Sequence, residues 1–202
     1  VPNVLAELTG VEMHAIQTSG NCIRNVTADP LAGVAADEIE DARVFAEIVR
    51  QWSTLHPEFS FLPRKFKIAV SAAENDRALL RSHDIALRLH HNDAGEAGFE
   101  VMAGGGQGRT PVLATTLREF LPQAGLLSYL EAVLRVYNQL GRRDNLYKAR
   151  IKILVMEMGG PAFAAKVEEE WARIKDGALF LPEADIARIK ADFAPPIYEG
   201  LD

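Results

Sequence analysis

Cationic side chains at alternate positions make residues 62–70 the stretch of this sequence most capable of chemistry. Pro63 favours an extended chain before it, and from Lys65 onward charged and apolar residues alternate with the two-residue period of a strand. Lys65 and Lys67 should therefore share one face, and the apolar positions between them should line the other. Two like charges held this close repel each other unless an anion lies between them, so the pair could bind an oxyanion. A solvated edge strand, protected from aggregation by its lysines, would show the same pattern.

Three further segments place cations beside Asn, Thr or Gly. Arg24 lies in a polar loop predicted over 19–30, Arg109 lies in the glycine-rich stretch 104–111, and five basic residues fall within 142–152. In a protein of net negative charge, such a concentration of cations points to a polyanionic ligand. The less specific alternative is that each cluster is a solvated surface.

The composition is that of an ordinary globular protein with an acidic balance. Its 202 residues are 48% hydrophobic and 25% charged, enough for one sizeable core, and the net charge of -6 argues against nucleic acid or an anionic membrane as the main partner. No apolar run approaches the roughly twenty residues of a transmembrane helix and no signal peptide is recognisable, so we expect a cytoplasmic protein. Because the chain begins with Val1-Pro2 rather than methionine, we expect a piece of a longer protein.

Metal-binding chemistry finds little support in the residue types. Cys22 is the one cysteine of the sequence, whereas an iron–sulfur cluster generally takes four thiolates. His83, His90 and His91 lie in and around a predicted strand, where such histidines are usually ordinary surface residues. The sequence therefore predicts no metal ligand.

Hydrophobic periodicity predicts both helices and strands. Helices are predicted over 1–8, 37–52, 126–140, 161–175 and 182–193, and strands are predicted over 11–18, 62–70, 85–90 and 98–103. The turn at 92–95 should join the last two strands as a hairpin. If the basic segment 142–152 is helical, Lys148 and Lys152 share one of its faces.

The glycine-rich stretch 104–111 follows a predicted strand, and Pro111 suits the first turn of a helix predicted to run to about Phe120. Glycines let backbone N–H groups approach a ligand, and a helix N-terminus favours anions. A P-loop would need glycine in place of Ala103 and lysine in place of Arg109, and a dinucleotide fingerprint would need glycine at the latter position, so both motifs fail. A non-catalytic module that binds phosphate or a nucleotide stays open, as does a flexible connection.

Four motifs occur in a fixed order along the chain. They are Gly20-Asn21-Cys22-Ile23-Arg24-Asn25-Val26, residues 62–70, residues 104–111 and residues 141–152. In combination they resemble the nitrite and sulfite reductases, in particular the haemoprotein (beta) subunit of assimilatory sulfite reductase, over roughly residues 10 to 160. The resemblance implies an α/β fold, with a mixed α+β sheet flanked by helices, like the sirohaem domain of that family.

The resemblance also implies cofactors and site residues. Enzymes of this family hold sirohaem, an iron tetrapyrrole edged by carboxylates, beside a 4Fe–4S cluster, and they reduce sulfite to sulfide or nitrite to ammonia. The implied catalytic residues are Arg24, Lys65 and Lys67. The implied cofactor-binding residues are Asn25, Arg64, Gly105, Gly106, Arg109, Thr110, Arg150 and Lys152. The family's cluster ligands are cysteines that follow the region of resemblance, so we expect this chain itself to lack them.

The reduction of sulfite or nitrite consumes protons, and the predicted pocket offers two kinds of cation. A lysine can donate a proton, whereas an arginine serves as a fixed charge. We therefore predict that Lys65 or Lys67, and not Arg24, delivers protons.

The same resemblance implies how the chain is divided and what it works with. Residues 1–18 would be the tail of a first ferredoxin-like half-domain, 19–160 the sirohaem-binding domain and 161–202 a helical linker. The full enzyme would take electrons from a flavoprotein subunit or from ferredoxin, and this piece alone is expected to be inactive. A fragment of a ferredoxin-dependent nitrite reductase is the alternative, because these residues do not decide between sulfite and nitrite.

Overall fold

A five-stranded mixed sheet lies at the centre of the protein in the computed structural model, which describes residues 1–11, 13, 16–17 and 19–195. The strands are β1 (Ile23–Ala28), β2 (Phe66–Ser71), β3 (Ile85–His91), β4 (Ala97–Ala103) and β5 (Thr115–Pro122), and they follow one another across the sheet in chain order. β1, β2 and β3 are parallel, whereas β4 and β5 continue antiparallel. The predicted α/β class, with a mixed sheet and flanking helices, is confirmed.

Six α-helices accompany the sheet in the described part of the chain. They are α1 (Pro2–Gly10), α2 (Ala42–Ser53), α3 (Leu126–Leu140), α4 (Ile151–Met158), α5 (Gly160–Ile174) and α6 (Glu183–Asp192). Asp41 caps α2 by accepting a hydrogen bond from the Arg43 N–H (2.9 Å), and Gly141 follows α3 as its predicted cap. Within the described residues, none of the helices has the length and apolar character that a membrane crossing requires.

The two faces of the sheet are covered differently. On one face α2 and α3 build an aromatic core, in which Phe45 packs on Phe99 (ring centroids 5.0 Å) and Tyr137 packs on Phe66 (5.4 Å). The other face carries a small cluster made of Ala69, Leu80, Ala86, Met102 and Ala114. Because side chains two apart on a strand share a face, Lys67 lies on the same side as this small cluster and points away from α2 and α3.

Strand β2 lies between β1 and β3, so the alternative of a solvated edge strand is wrong. Phe66, Ile68 and Val70 are buried and Lys67 is exposed, which follows the predicted alternation. Ala69 is buried as well, because the small cluster covers the second face beyond the lysine. The interior position fixes the lysine segment between two hydrogen-bonded neighbours.

A loop and a helix are predicted wrongly, because each of these two segments contains a strand. The polar loop predicted over 19–30 contains β1, in which Ile23 and Val26 pack on the core while the backbone pairs with β2. The helix predicted from Pro111 to about Phe120 is replaced by β5, which pairs with β4. Both strands depend on partners distant in sequence, which local periodicity does not reveal. The glycine-rich stretch therefore runs into a strand rather than into a helix N-terminus.

Helix α2 begins later than predicted, because acids from the predicted first turn bind elsewhere. The Asp37 carboxylate accepts hydrogen bonds from Arg77 (2.9 and 3.2 Å) and from the Asn75 side chain (2.9 Å). Glu38 accepts a hydrogen bond from the Gly33 N–H (2.7 Å). The Asp37 contacts tie the segment before α2 to the chain that follows β2, and the Glu38 contact closes a turn within that segment.

Parts of two predictions lie outside the described residues. The strand predicted over 11–18 includes residues 12, 14, 15 and 18, which are not described; residues 11, 16 and 17 lie in turns rather than in a strand. The linker predicted over 161–202 includes residues 196–202, which are likewise not described. The predicted domain boundaries stay predictions.

Candidate functional site

Two adjoining cavities lie where β2 begins. The main cavity, of about 450 Å³, is lined by Arg64, Lys65, Arg109, Thr110, Arg150 and Lys152, together with Gln107, Gly108, Leu146, Tyr147 and Ile153. The side cavity, of about 350 Å³, is lined by Lys65, Lys67, Ser82, His83, Gln107, Gly108 and Arg150. Four residues belong to both linings, namely Lys65, Gln107, Gly108 and Arg150, so the two cations among them stand at the junction of the two cavities.

Arg24 and Asn25 line a different cavity, beside the C-terminal end of α2. The Arg24 Nε donates a hydrogen bond to the Gly20 carbonyl (2.9 Å), and Asn25 stands opposite Lys67 in the register of β1 and β2. The structure therefore does not bring the Arg24 side chain into the lining of the main or the side cavity. Its charge nevertheless acts on Lys65.

Lys65 has four other cations close enough to affect its protonation. Burial lowers the pKa of Lys65, and the charges of Arg24, Arg150, Lys67 and Arg64 lower it further. A lysine that is destabilised as an ammonium ion releases its proton more readily than an ordinary lysine. An anion placed beside Lys65 would stabilise its ammonium form.

A buried carboxylate, that of Asp84, lies behind these cations. Its side chain is 1% exposed, and its Oδ1 accepts hydrogen bonds from Nε (2.9 Å) and Nη2 (2.6 Å) of Arg150. The Asp84 Oδ2 accepts from the Lys67 backbone N–H (2.9 Å). Burial raises the pKa of Asp84, whereas the Arg150 charge opposes that rise. The guanidinium of Arg150 is thereby held between the two cavities.

Lys152 holds the glycine-rich loop from inside the protein. It is 7% exposed, and its Nζ donates hydrogen bonds to the carbonyl oxygens of Gln107 (3.1 Å) and Thr110 (2.6 Å). Burial lowers the pKa of Lys152, and the Arg150 charge lowers it further. Because α4 begins only after Arg150 and Lys148 ends a separate 3-10 helix, the predicted shared helical face of Lys148 and Lys152 is wrong.

Gly105 and Gly106 are required by the packing of the protein itself. A Cβ on Gly105 would collide with the carbonyl oxygens of Arg81 and His83, and a Cβ on Gly106 would lie 2.9 Å from the Arg150 Nη2. The two glycines therefore let the loop pass close to the start of β3 and leave room for the guanidinium. Their predicted contact with a cofactor stays a prediction.

We expect Lys152→Met to loosen the loop without disrupting the core. The substitution removes the two hydrogen bonds that the Lys152 ammonium donates to the Gln107 and Thr110 carbonyls, and a hydrogen bond from a charged group contributes about 1.5–3 kcal/mol to the free energy of unfolding. Trypsin should then cut after the exposed Arg109 faster than in the wild-type chain, and the cleavage rate measures the effect. Lys148→Met is the matched control, because Lys148 is exposed. Equal cleavage rates in the two variants would contradict the assignment of Lys152 to the loop.

Asp84 and Tyr147 contribute to the site but were not singled out from the sequence. An acid directly before a strand is a common surface feature, and only the nearby basic motifs hint that this one is buried and paired. Tyr147 is 90% exposed at the wall of the main cavity, where its ring could stack on a flat ligand. Its place at the cavity depends on the fold, so no local pattern identifies it.

The residues present fit one of the two groups that the resemblance implies. A tetrapyrrole edged by carboxylates is complementary to Arg64, Lys65 and Arg109, which line the main cavity beside Tyr147. A 4Fe–4S cluster does not fit this chain, because Cys22 is the one cysteine of the sequence. Among the described residues, no three His, Cys, Asp or Glu side chains gather into a group that could hold a metal ion.

Comparison with known proteins gives consistent matches. Residues 19–175 match the family model described as "Nitrite and sulphite reductase 4Fe-4S domain". Sulfite reductase (ferredoxin) 1 of Mycolicibacterium paratuberculosis is 34% identical over 186 residues, which are 90% of this chain and 33% of the relative. Ferredoxin–nitrite reductase of Leptolyngbya laminosa is 31% identical over 175 residues, 84% of this chain and 34% of the relative. The chain thus spans about a third of the length of these curated relatives.

Solved structures agree with the sequence matches. The Mycobacterium tuberculosis NirA protein has a TM-score of 0.76 and 29% identity, over 85% of this chain and 31% of that one. Dissimilatory sulfite reductase I has a TM-score of 0.62 at 10% identity, over 90% of this chain and 59% of that one, and shares the fold. Since the family model spans most of the sequence and relatives at about 30% identity cover nearly all of it, the chain belongs to the nitrite and sulfite reductase family.

Proposed function

We propose that this chain is the part of a sirohaem-dependent sulfite reductase that binds the substrate oxyanion and the carboxylates of the tetrapyrrole. The observation that carries the proposal is the gathering of cations at the two cavities: Arg64, Lys65, Arg109 and Arg150 line the main cavity, and Lys67 lines the side cavity. Although the Asp84 carboxylate offsets the charge of Arg150, these cations repel one another and leave a positive charge at the site. A small oxyanion together with the carboxylates of a tetrapyrrole would neutralise it.

Each kind of cation has its own task in the proposed reaction. Arg64 and Arg109 each present several N–H donors in a planar guanidinium, which suits carboxylates. Lys65 and Lys67 attract the oxyanion, and Lys65, whose pKa is lowered, gives up a proton as a substrate oxygen leaves as water. Arg24 adds fixed positive charge. The tetrapyrrole iron, when bound, would pass to the substrate the electrons that an external donor delivers.

The names of the relatives support a ferredoxin-dependent enzyme. Those proteins are called sulfite reductase (ferredoxin) and ferredoxin–nitrite reductase, and the two kinds match this chain with similar identity. We propose ferredoxin as the electron donor and sulfite as the substrate, with nitrite as the alternative; a flavoprotein donor stays a prediction. We also propose that the chain works within a longer protein, that 19–160 carries its sirohaem-binding residues, and that it is inactive alone.

Titration of the 202-residue chain with sirohaem, followed by the absorbance of the tetrapyrrole, tests the proposal. We expect saturable binding that weakens with salt, and at least tenfold weaker binding in the double variant Arg64→Gln/Arg109→Gln, because a hydrogen bond to a charged group contributes about 1.5–3 kcal/mol. Arg142→Gln is the matched control, since Arg142 pairs with Asp144 (2.6 Å) and lines neither cavity.

The same titration with ATP tests the phosphate-binding alternative. A helix N-terminus that could bind phosphate no longer supports that alternative, because the glycine-rich stretch leads into β5. Binding of ATP without binding of sirohaem would replace our proposal by that module. Binding of neither ligand would leave the basic residues as a solvated surface and would contradict the proposal as well.

A further inference from the structure

We propose that Asp84 is a positioning residue of this site and that it acts through Arg150. The inference rests on the proposed function, because it concerns the geometry of the same cations. Asp84 lies between the motifs 62–70 and 104–111 and belongs to neither. Its side chain is 1% exposed and lines neither cavity, so its effect on a ligand must pass through another residue.

Four parts of the structure meet at Asp84, which directly precedes β3. Its Oδ1 accepts two hydrogen bonds from Arg150 at the start of α4, and its Oδ2 accepts one from the Lys67 backbone N–H in β2. Its backbone carbonyl accepts a hydrogen bond from the Gly104 N–H (3.0 Å), where the glycine-rich stretch begins. One residue therefore relates the guanidinium, the lysine strand and the loop to one another.

The charge of Asp84 keeps a cation at the junction of the two cavities. Two nitrogens of Arg150 bond to one carboxylate oxygen, so the plane of the guanidinium is fixed instead of turning into solvent. The space for it is built by Gly106, where a Cβ would lie 2.9 Å from Nη2. Without the carboxylate, Arg150 would be repelled by Lys65 and would lose the contact that opposes this repulsion. The junction would then lack its fixed cation.

Comparison of Asp84→Asn with Asp29→Asn in the 202-residue chain tests the inference. Both carboxylates are 1% exposed and paired with an arginine, but Asp29 pairs with Arg77 (3.1 Å) outside the two cavities. We expect both variants to be less stable to urea, and Asp84→Asn alone to bind sirohaem at least tenfold more weakly. An affinity equal to that of the wild-type chain would make Asp84 a structural carboxylate and would overturn the inference.

A double-mutant cycle shows whether Asp84 acts through Arg150. Arg150→Met should weaken sirohaem binding at least as much as Asp84→Asn, and the double variant should bind no more weakly than Arg150→Met. The double variant removes both charges of the Asp84–Arg150 pair, so it leaves neither charge buried without a partner. It can therefore still be compared with Arg150→Met if Asp84→Asn alone does not fold. A further loss of affinity in the double variant would show that Asp84 does not act through Arg150.

Side-chain NMR separates this inference from the proposed function. In the wild-type chain the Arg150 Nε–H should exchange slowly with water, because it is bonded to a buried carboxylate, and in Asp84→Asn it should exchange about tenfold faster or more. If the wild-type chain binds no sirohaem, the proposed function fails. The exchange rate of the Arg150 Nε–H then tests by itself whether Asp84 positions Arg150. Faster exchange then supports the positioning role, and unchanged exchange overturns it.

Discussion

Replacing Lys65 by methionine is expected to slow the single-turnover reduction of sulfite by about 100-fold or more in a reductase that contains this chain, since a general acid typically contributes at least this factor. Only the ammonium form donates a proton, so the wild-type rate should fall as the pH rises through the Lys65 pKa. Burial and four neighbouring cations lower that pKa, so the fall begins at a lower pH than for an ordinary lysine. In Lys65→Met the fall should disappear.

Lys67→Met is the matched comparison for this prediction. Lys67 is exposed and lines the side cavity, so its removal takes away one attracting charge and should cause a smaller loss of rate. The pH-dependent fall should remain in this variant. If the rate still falls with rising pH in Lys65→Met but no longer does so in Lys67→Met, Lys67 delivers the proton. Unchanged profiles in both variants would rule out either lysine as the donor.

The loss of rate in Lys65→Met should not come from unfolding. A lowered pKa means that the folded state holds the Lys65 proton less tightly than the unfolded state does. The charged lysine therefore reduces the free energy of unfolding at every pH below its folded-state pKa, and this penalty disappears as the pH rises to the unfolded-state value. At pH 7 the variant should unfold at the same or a higher urea concentration than the wild-type chain.

Elements whose signal is local could be predicted from the sequence, whereas those that depend on a distant partner could not. The apolar face of α3 and the turn between β3 and β4 lie within single segments, and both are confirmed. β1 and β5 are the two edges of the sheet, and their half-buried residues follow no clean alternation. Their strand character comes from pairing with β2 and β4, which only the folded chain brings beside them.

The residues of the candidate site also fall into those that the sequence could predict and those that it could not. The motifs located the cations around Lys65, since clustered charge is visible in a sequence. They did not show that Arg150 and Lys152 are bonded inside the protein, to Asp84 and to loop carbonyls. These partners lie far away along the chain, and a carboxylate or a lysine carries no sequence mark of its burial. The residues that hold the site together are therefore harder to predict than those that line it.

Helix α5 gives the second large prediction, because it decides where the domain ends. The boundary predicted at 160/161 would make α5 part of a linker, yet Phe163 and Val167 are fully buried in the same core as the sheet. Glu168 of the same helix accepts a hydrogen bond from the Tyr129 hydroxyl (2.9 Å). Phe163→Ala is therefore expected to lower the free energy of unfolding by about 3–5 kcal/mol, measured by urea denaturation.

Phe180→Ala is the control for the same segment, because Phe180 also lies within 161–202 but is 59% exposed. Its truncation should change the free energy of unfolding by no more than about 0.5 kcal/mol. A linker would give small changes for both substitutions, since neither phenylalanine would then belong to the cooperative unit. A large loss for Phe163→Ala alone would instead move the end of the domain past α5, because a substitution can destabilise only the unit into which its side chain packs.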